Sequence, residues 1–385
     1  MGISGGIRWL LPAVMIVTTA LVAGCSSTSP RSTPEPSATA TLTTAALQQA
    51  LDALVAAGAP AAVVEVVSGD RRWTGSAGVL TRGNPAVATG EAPFRISGIT
   101  KSMVAAVILD LVAEKRLTLD TDVNTVVPGL LPRAVTIEQL LEQTSGLPNY
   151  TATMAPPNVD SILANSGVER TDADLVAAAL TQPWTQNPGS SYVYSDTNYV
   201  VLGEVIRTLD GGVLADSLQR RIFGPAGMTA TRYPADAAMP PGALHGYLVN
   251  GTDYKDATSF TPSFFGGAGA LVSTVADVNR FYRALFTGKI VPPALVALMQ
   301  EKPESGYGLG VVAARDTCGT GSKLLFGQRG NGYGYRSVSF SSPDGSRQLT
   351  LAWTASGPDP TRDPLEQQAT AAINAAITST CPTGV

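Results

Sequence analysis

Histidine is nearly absent from this 385-residue chain: His245 is the only one, and cysteine occurs three times, at Cys25, Cys318 and Cys381. With so few nitrogen and sulfur ligands, and without His-Glu-x-x-His or a comparable spacing, a metal centre has no basis. No motif implies a cofactor. Basic runs are missing as well. The 26 Lys and Arg are scattered among 30 Asp and Glu for a net charge of −4, which argues against a nucleic-acid surface or a polybasic lipid patch. No Gly-x-Ser-x-Gly elbow and no internal repeat occurs. What remains is globular: 44% hydrophobic and 15% charged, enough for one large domain or two merged subdomains.

The first segment is of another kind. Arg8 precedes an apolar run over 9–23, too short for the roughly 20 residues that span a bilayer but suited to a secretory signal. It ends in Leu21-Val22-Ala23-Gly24-Cys25, which resembles a bacterial lipobox; the alternative is an ordinary signal peptide with a chance cysteine. Residues 26–44 are almost wholly Ser, Thr, Pro and Ala and bury too little apolar surface to offset ordering entropy. The expected organisation is a signal peptide over 1–24, a lipidated Cys25 with a flexible tether over 25–44, and a domain over 45–385. That places the domain outside the cytoplasmic membrane, anchored by lipid in the cell envelope. In such an oxidising compartment Cys318 and Cys381 suit a disulfide, with two separate buried thiols as the alternative.

Leu47, Leu51 and Leu54 recur at helical spacing over 47–57. Residues 61–67 and 72–79 read as paired strands around Ser68-Gly69-Asp70. A long helix follows over 100–115, then a mainly helical stretch over 136–230. Strands return near 308–314, 337–341 and 349–354, and an alanine-rich helix closes the chain over 365–377. The ends therefore supply an α/β sheet flanked by helices, with a helical insertion over roughly 116–265. A substrate site is expected in the cleft between them.

Phe94-Arg95-Ile96-Ser97-Gly98-Ile99-Thr100-Lys101 resembles the Phe-x-x-x-Ser-x-x-Lys signature of the serine β-lactamase and D-alanyl-D-alanine carboxypeptidase (penicillin-binding, class C-like) family. Further segments follow in the family's order: Leu140-Leu141-Glu142-Gln143-Thr144-Ser145-Gly146-Leu147-Pro148, Pro188-Gly189 leading to Tyr194-Ser195-Asp196-Thr197-Asn198-Tyr199, Gly267-Ala268-Gly269, Tyr307-Gly308-Leu309-Gly310, and Gly330-Asn331-Gly332-Tyr333-Gly334-Tyr335. The resemblance implies the β-lactamase/DD-peptidase-like fold: a mostly antiparallel sheet, terminal helices against it, and a helical subdomain. It also implies candidate ligands, namely a peptidoglycan stem peptide, a β-lactam or a small ester.

In that signature a serine and a lysine three apart share one helix face, and the helix dipole favours the developing oxyanion. Here the register is displaced. Counting back three from Lys101, or forward four from Phe94, reaches Gly98, so glycine holds the nucleophile slot and Ser97 stands one residue early. Ser97 is expected either as an N-cap for the following helix or as a displaced nucleophile. Tyr194 matches the family's Tyr-x-Asn tyrosine, with a buried core tyrosine as the alternative, and Asp196 replaces the asparagine. Ionised aspartate accepts hydrogen bonds but cannot donate them.

The aligned third motif is Gln328-Arg329-Gly330, where the resemblance implies a cation for a substrate carboxylate; Gln328 carries none. Neighbours on a strand face opposite ways, so Arg329 is not expected to replace it. The resemblance assigns the oxyanion hole to the backbone N–H groups of Gly98 and Asn331. His245 lies far from these motifs and reads as a surface or packing residue. Two functions follow: an impaired, ligand-binding relative of serine hydrolases, or an active acyl-serine hydrolase that uses Ser97 with Lys101 and Tyr194.

Overall fold

A computed structural model describes residues 44–301, 306–319, 323–359 and 365–382. Cys25, the expected signal segment and the tether up to residue 43 lie outside the described residues.

The apolar ends of the domain build one sheet. Strands β1 (Ala61–Ser68) and β2 (Arg71–Gly78) form a hairpin; β3 (Phe94–Arg95) pairs with β6 (Val272–Ser273), and β4 (Tyr247–Asn250) with β5 (Asp253–Asp256). The remaining strands are β7 (Val312–Arg315), β8 (Leu324–Gly332), β9 (Tyr335–Ser341) and β10 (Arg347–Thr354). The main sheet runs β2-β1-β10-β9-β8-β7 with every neighbour antiparallel. This is the α/β architecture expected from the sequence.

Every residue of β1 is buried because helices cover both faces of the sheet. On one face Leu47, Leu51 and Leu54 of the helix Ala45–Ala56, with Ala369, Ala372 and Ala376 of the helix Glu366–Ser379, cover Val64, Val66, Leu349 and Leu351. Each fully buried leucine there contributes about 2 kcal/mol. Cys318 and Cys381 are joined in a disulfide, with their Cα atoms 5.2 Å apart, and tie this terminal helix to the end of β7. On the other face lies a helix that the sequence expectations omit, Val275–Phe286, which buries Val278, Phe281, Tyr282 and Leu285. Its Asn279 amide donates to the Glu65 backbone and carboxylate at 3.1 Å each, so the one carboxylate in β1 is not left unpaired.

The helix Thr100–Ala113 is apolar nearly all round and lies in the core between the sheet and the helical region. That region carries the helices Asp172–Leu180 and Thr197–Asp210 among shorter ones. Strand β8 is likewise absent from the strands expected by pattern. Gly327, Gly330 and Gly332 remove the side chains that would mark its alternation.

Candidate active site

Four pieces of chain converge on one cleft of about 490 Å³. The first is the start of the helix Thr100–Ala113. Ile96 is held on both sides: its N–H donates to Leu271 O at 3.0 Å, and its carbonyl accepts from Ser337 Oγ at 3.3 Å. The chain therefore enters the turn Ser97–Ile99 beside β8. Ser102 Oγ donates to Gly310 O at 2.7 Å and accepts from Tyr282 O–H at 2.9 Å, which locks the helix start in place.

Ser97 does not cap that helix. It lies within a 3-10 turn at φ 49°, and neither the turn nor the helix has a side-chain cap. The expectation of an N-cap is corrected on this point: a left-handed backbone carries the hydroxyl away from the helix amides and into the cleft. There it packs over Gly332, where an added Cβ would stand 2.1 Å from Ser97 Oγ, so only glycine leaves room for it. Gly98 is the residue beside the lysine. A Cβ built on it would lie 3.5 Å from Lys101 Nζ and 2.5 Å from Arg329 O, meaning that β8 has closed onto a position with no side chain.

The second piece is the turn before the helix Thr197–Asp210, bolted down by Gln143. Its backbone carbonyl accepts from Val193 N–H at 2.9 Å and its Oε1 from Ser195 N–H at 2.9 Å. This brings Tyr194 and Asp196 over Lys101. Lys101 Nζ lies 2.8 Å from Asp196 Oδ1, donates to Ala268 O at 2.9 Å, and stands 5.2 Å from the centre of the Tyr194 ring. Tyr194 O–H donates to the same Asp196 Oδ1 at 2.7 Å. Tyr194 is 44% exposed overall, so it is a wall of the cleft rather than a core tyrosine. Its hydroxyl end is the enclosed part. Burial, then the charge of Asp196 and the bond to it, push that phenol well above its ordinary range. For Asp196 burial acts upward, but Lys101, Tyr194 and Asn149 together hold the carboxyl below its usual value. The trio is therefore an ammonium–carboxylate pair with a neutral phenol on it.

The third piece is β8. Gln328 is buried, and its Nε2 donates to Tyr307 O–H at 3.2 Å and Gly310 O at 3.3 Å. Arg329 points to the opposite face, its guanidinium 5.6 Å from the Phe340 ring centre, while its backbone carbonyl lies against Gly98 at the cleft. Gly330 packs against Ile96 O and Ser337 Oγ, while Asn331 lines the cleft.

The fourth piece is aromatic: Phe264, Phe265 and Tyr333 form a wall in which Tyr333 lies 6.0 Å from both phenylalanine rings. Sequence reasoning missed this wall, and it missed Asn149. Asn149 accepts from Thr151 N–H at 3.3 Å and donates to Asp196 Oδ2 at 3.3 Å, so one amide caps a helix and orients the carboxylate. It follows directly on the Leu147-Pro148 segment, which was the available signal. His245 lies outside the cleft lining, 37% exposed, with Nδ1 2.9 Å from Asp256.

The family model described as Beta-lactamase matches residues 47–375. Penicillin-binding protein 4 of Amycolatopsis lactamdurans is 30% identical over 241 residues, 60% of this chain and 60% of that protein. A D-aminopeptidase of Cereibacter sphaeroides is 30% identical over 296 residues, 70% of this chain and 53% of the other. The chain thus spans between 53% and 60% of the length of these curated relatives. Among solved structures, a D-stereospecific amidohydrolase from Streptomyces sp. matches with TM-score 0.73 and 33% identity, covering 81% of this chain and 94% of that one. The D-amino acid amidase of Ochrobactrum anthropi SV3 matches with TM-score 0.75 and 26% identity, covering 86% and 97%.

Proposed function

The chain belongs to the beta-lactamase family of serine hydrolases, and on that premise we propose that it hydrolyses amides or peptides of D-amino acids, slowly, through Ser97. The observation that carries this reading is that Ser97 is the only serine among the described residues lining the cleft that holds Lys101, Tyr194 and Asp196. Its φ of 49° is a sparsely populated conformation for a residue with a side chain, of the kind that clusters at functional sites. The D-stereospecific amidohydrolase and the D-amino acid amidase support the substrate class.

In the proposed reaction the Ser97 oxygen bonds to the substrate carbonyl carbon and the carbon–nitrogen bond breaks. The amine leaves with the hydroxyl proton, and water then cleaves the acyl-serine ester to the acid, restoring the hydroxyl. Lys101 supplies positive charge near the developing oxyanion. Because Lys101 is already paired with Asp196, and Tyr194 donates to Asp196, no free base stands ready beside Ser97 among the described residues; hence the low rate. The proposal also sets the domain at the outer face of the cytoplasmic membrane through a lipidated Cys25, on the strength of the sequence at 21–25.

A second reading is favoured by one observation: the position beside Lys101 Nζ is Gly98, so the cleft can hold ligands of the same class without acylation. Intact-mass spectrometry after incubation with a fluorophosphonate, together with release of nitroaniline from D-phenylalanine p-nitroanilide, separates the two. An adduct mapped to Ser97 and lost in Ser97→Ala supports the hydrolase. Absence of any adduct, with a ligand-induced rise in Tm, supports the binder.

A further inference from the structure

The charge inventory of the cleft carries a conclusion about what it accepts. Three charged residues line it among those described: Lys101, Asp196 and Arg329. Lys101 and Asp196 neutralise each other at 2.8 Å. Arg329 sends its guanidinium to the far side of the sheet, over Phe340. At the inward position of the same strand stands Gln328, a neutral group that can both donate and accept.

The surroundings of that position are apolar or phenolic. Tyr192 and Tyr307 pack 5.6 Å apart beside it, and Phe265 and Tyr333 form the opposite wall. Burial, and then the charge of Asp196, push the phenols of Tyr192 and Tyr333 up from their usual values, so these walls carry no charge of their own. A ligand carboxylate entering here would shed water and meet no unpaired cation among the described residues that face the cleft. A carboxamide or an interior peptide unit meets no such penalty, and its N–H can donate to the remaining lone pair of Gln328 Oε1, which already accepts from Arg329 N–H while Nε2 donates to Tyr307 and Gly310.

We propose that the cleft selects ligands whose group beyond the scissile bond is uncharged (a carboxamide, an ester or an interior peptide unit) and rejects those ending there in a free carboxylate, with Gln328 as the determinant. This rests on the reading above that the cleft takes acyl compounds of D-amino acids. Small amides and esters then rank above stem peptides ending in a free acid and above penicillins as its ligands.

The test is a matched pair, N-acetyl-D-phenylalanyl-D-alanine and its C-terminal amide, offered to the full domain at 0.15 M and 0.5 M salt. Hydrolysis is followed by mass spectrometry, and binding by calorimetry on the wild type and on Ser97→Ala. The expected result is a preference of at least tenfold for the amide, in kcat/KM or, where nothing is cleaved, in Kd. It should persist at the higher salt, which screens long-range repulsion from the net charge but not contacts inside the cleft. Gln328→Lys should narrow or reverse the ratio while the Tm stays within a few degrees. Selective binding without turnover would sustain this proposal and sink Ser97 chemistry. Equal turnover of both peptides, or preference for the acid, would sink this proposal and leave Ser97 chemistry standing. If neither peptide binds at millimolar concentration, the selectivity proposal is overturned.

Discussion

The double substitution Ser97→Gly plus Gly98→Ser puts a hydroxyl three residues before Lys101. A Cβ at 98 stands 3.5 Å from Lys101 Nζ, and an oxygen one bond further out reaches hydrogen-bond distance of that nitrogen. The cost is local. The same Cβ falls 2.5 Å from Arg329 O, so the β8 main chain must retreat by about half an ångström, an overpacking worth about 1–3 kcal/mol. Glycine at 97 releases the left-handed φ of 49°, returning about 1 kcal/mol. The net destabilisation is therefore about 0–2 kcal/mol, a fall in Tm of no more than about 6 °C.

Placing a nucleophile against a proton-accepting group is worth about 10²–10⁴ in rate, and the Lys101–Asp196 pair puts this protein at the low end. Fluorophosphonate labelling, timed by intact-mass spectrometry, should accelerate about 100-fold in the swap. Adding Asp196→Asn, which frees Lys101 from its counter-charge, should accelerate it further. A swapped protein that keeps its Tm within the stated range yet labels no faster would refute the assignment of position 98 as the slot served by Lys101.

Asp172, partly buried at the start of the helix Asp172–Leu180, is raised to about 6 by burial and by Glu204. Because the folded state holds this proton more tightly than the unfolded chain, stability falls as pH rises from about 4 to 6 and the penalty is complete above that. Asp172→Asn should raise stability at pH 7 by about 1–2 kcal/mol, after the lost helix-dipole attraction is subtracted, and denaturant titrations across pH 4–7 should show a flatter profile. Replacing Cys318 and Cys381 by serine should cost about 2–4 kcal/mol, given the separation of 63 residues, and lower the denaturation midpoint without changing the labelling of Ser97. Cys25→Ala should move the full chain from the membrane fraction to the soluble one; retention in the membrane fraction would remove the lipid-anchor proposal.

Much of the architecture was legible in the residues. Leu47, Leu51 and Leu54 mark one face of a helix, the apolar run through β1 needs cover on both faces, and the motif order from Phe94 to Tyr335 points to one family and one cleft. The helix Val275–Phe286 was missed although its signal was present, in Val278, Phe281, Tyr282 and Leu285 behind a Thr274 cap. Strand β8 was not legible, because glycine has no side chain with which to show a two-residue period.

Sequence alone determined that Gly98 stands three residues before Lys101 and four after Phe94, that Gln328 is uncharged, and that an ionised Asp196 can only accept, since each follows from counting and from side-chain chemistry. It left the direction of Ser97 open, because that rests on one backbone torsion which no local pattern dictates. Tertiary structure decided it: next to Ile96, held between Leu271 and Ser337, Ser97 adopts the left-handed region and its hydroxyl lies over Gly332. It decided in the same way that Lys101, Tyr194, Asp196 and Asn149 form one hydrogen-bonded group. Lys101 and Asn149 are 48 positions apart, and only the packing of the helical region over the sheet brings such distant residues within 4 Å of a common carboxylate.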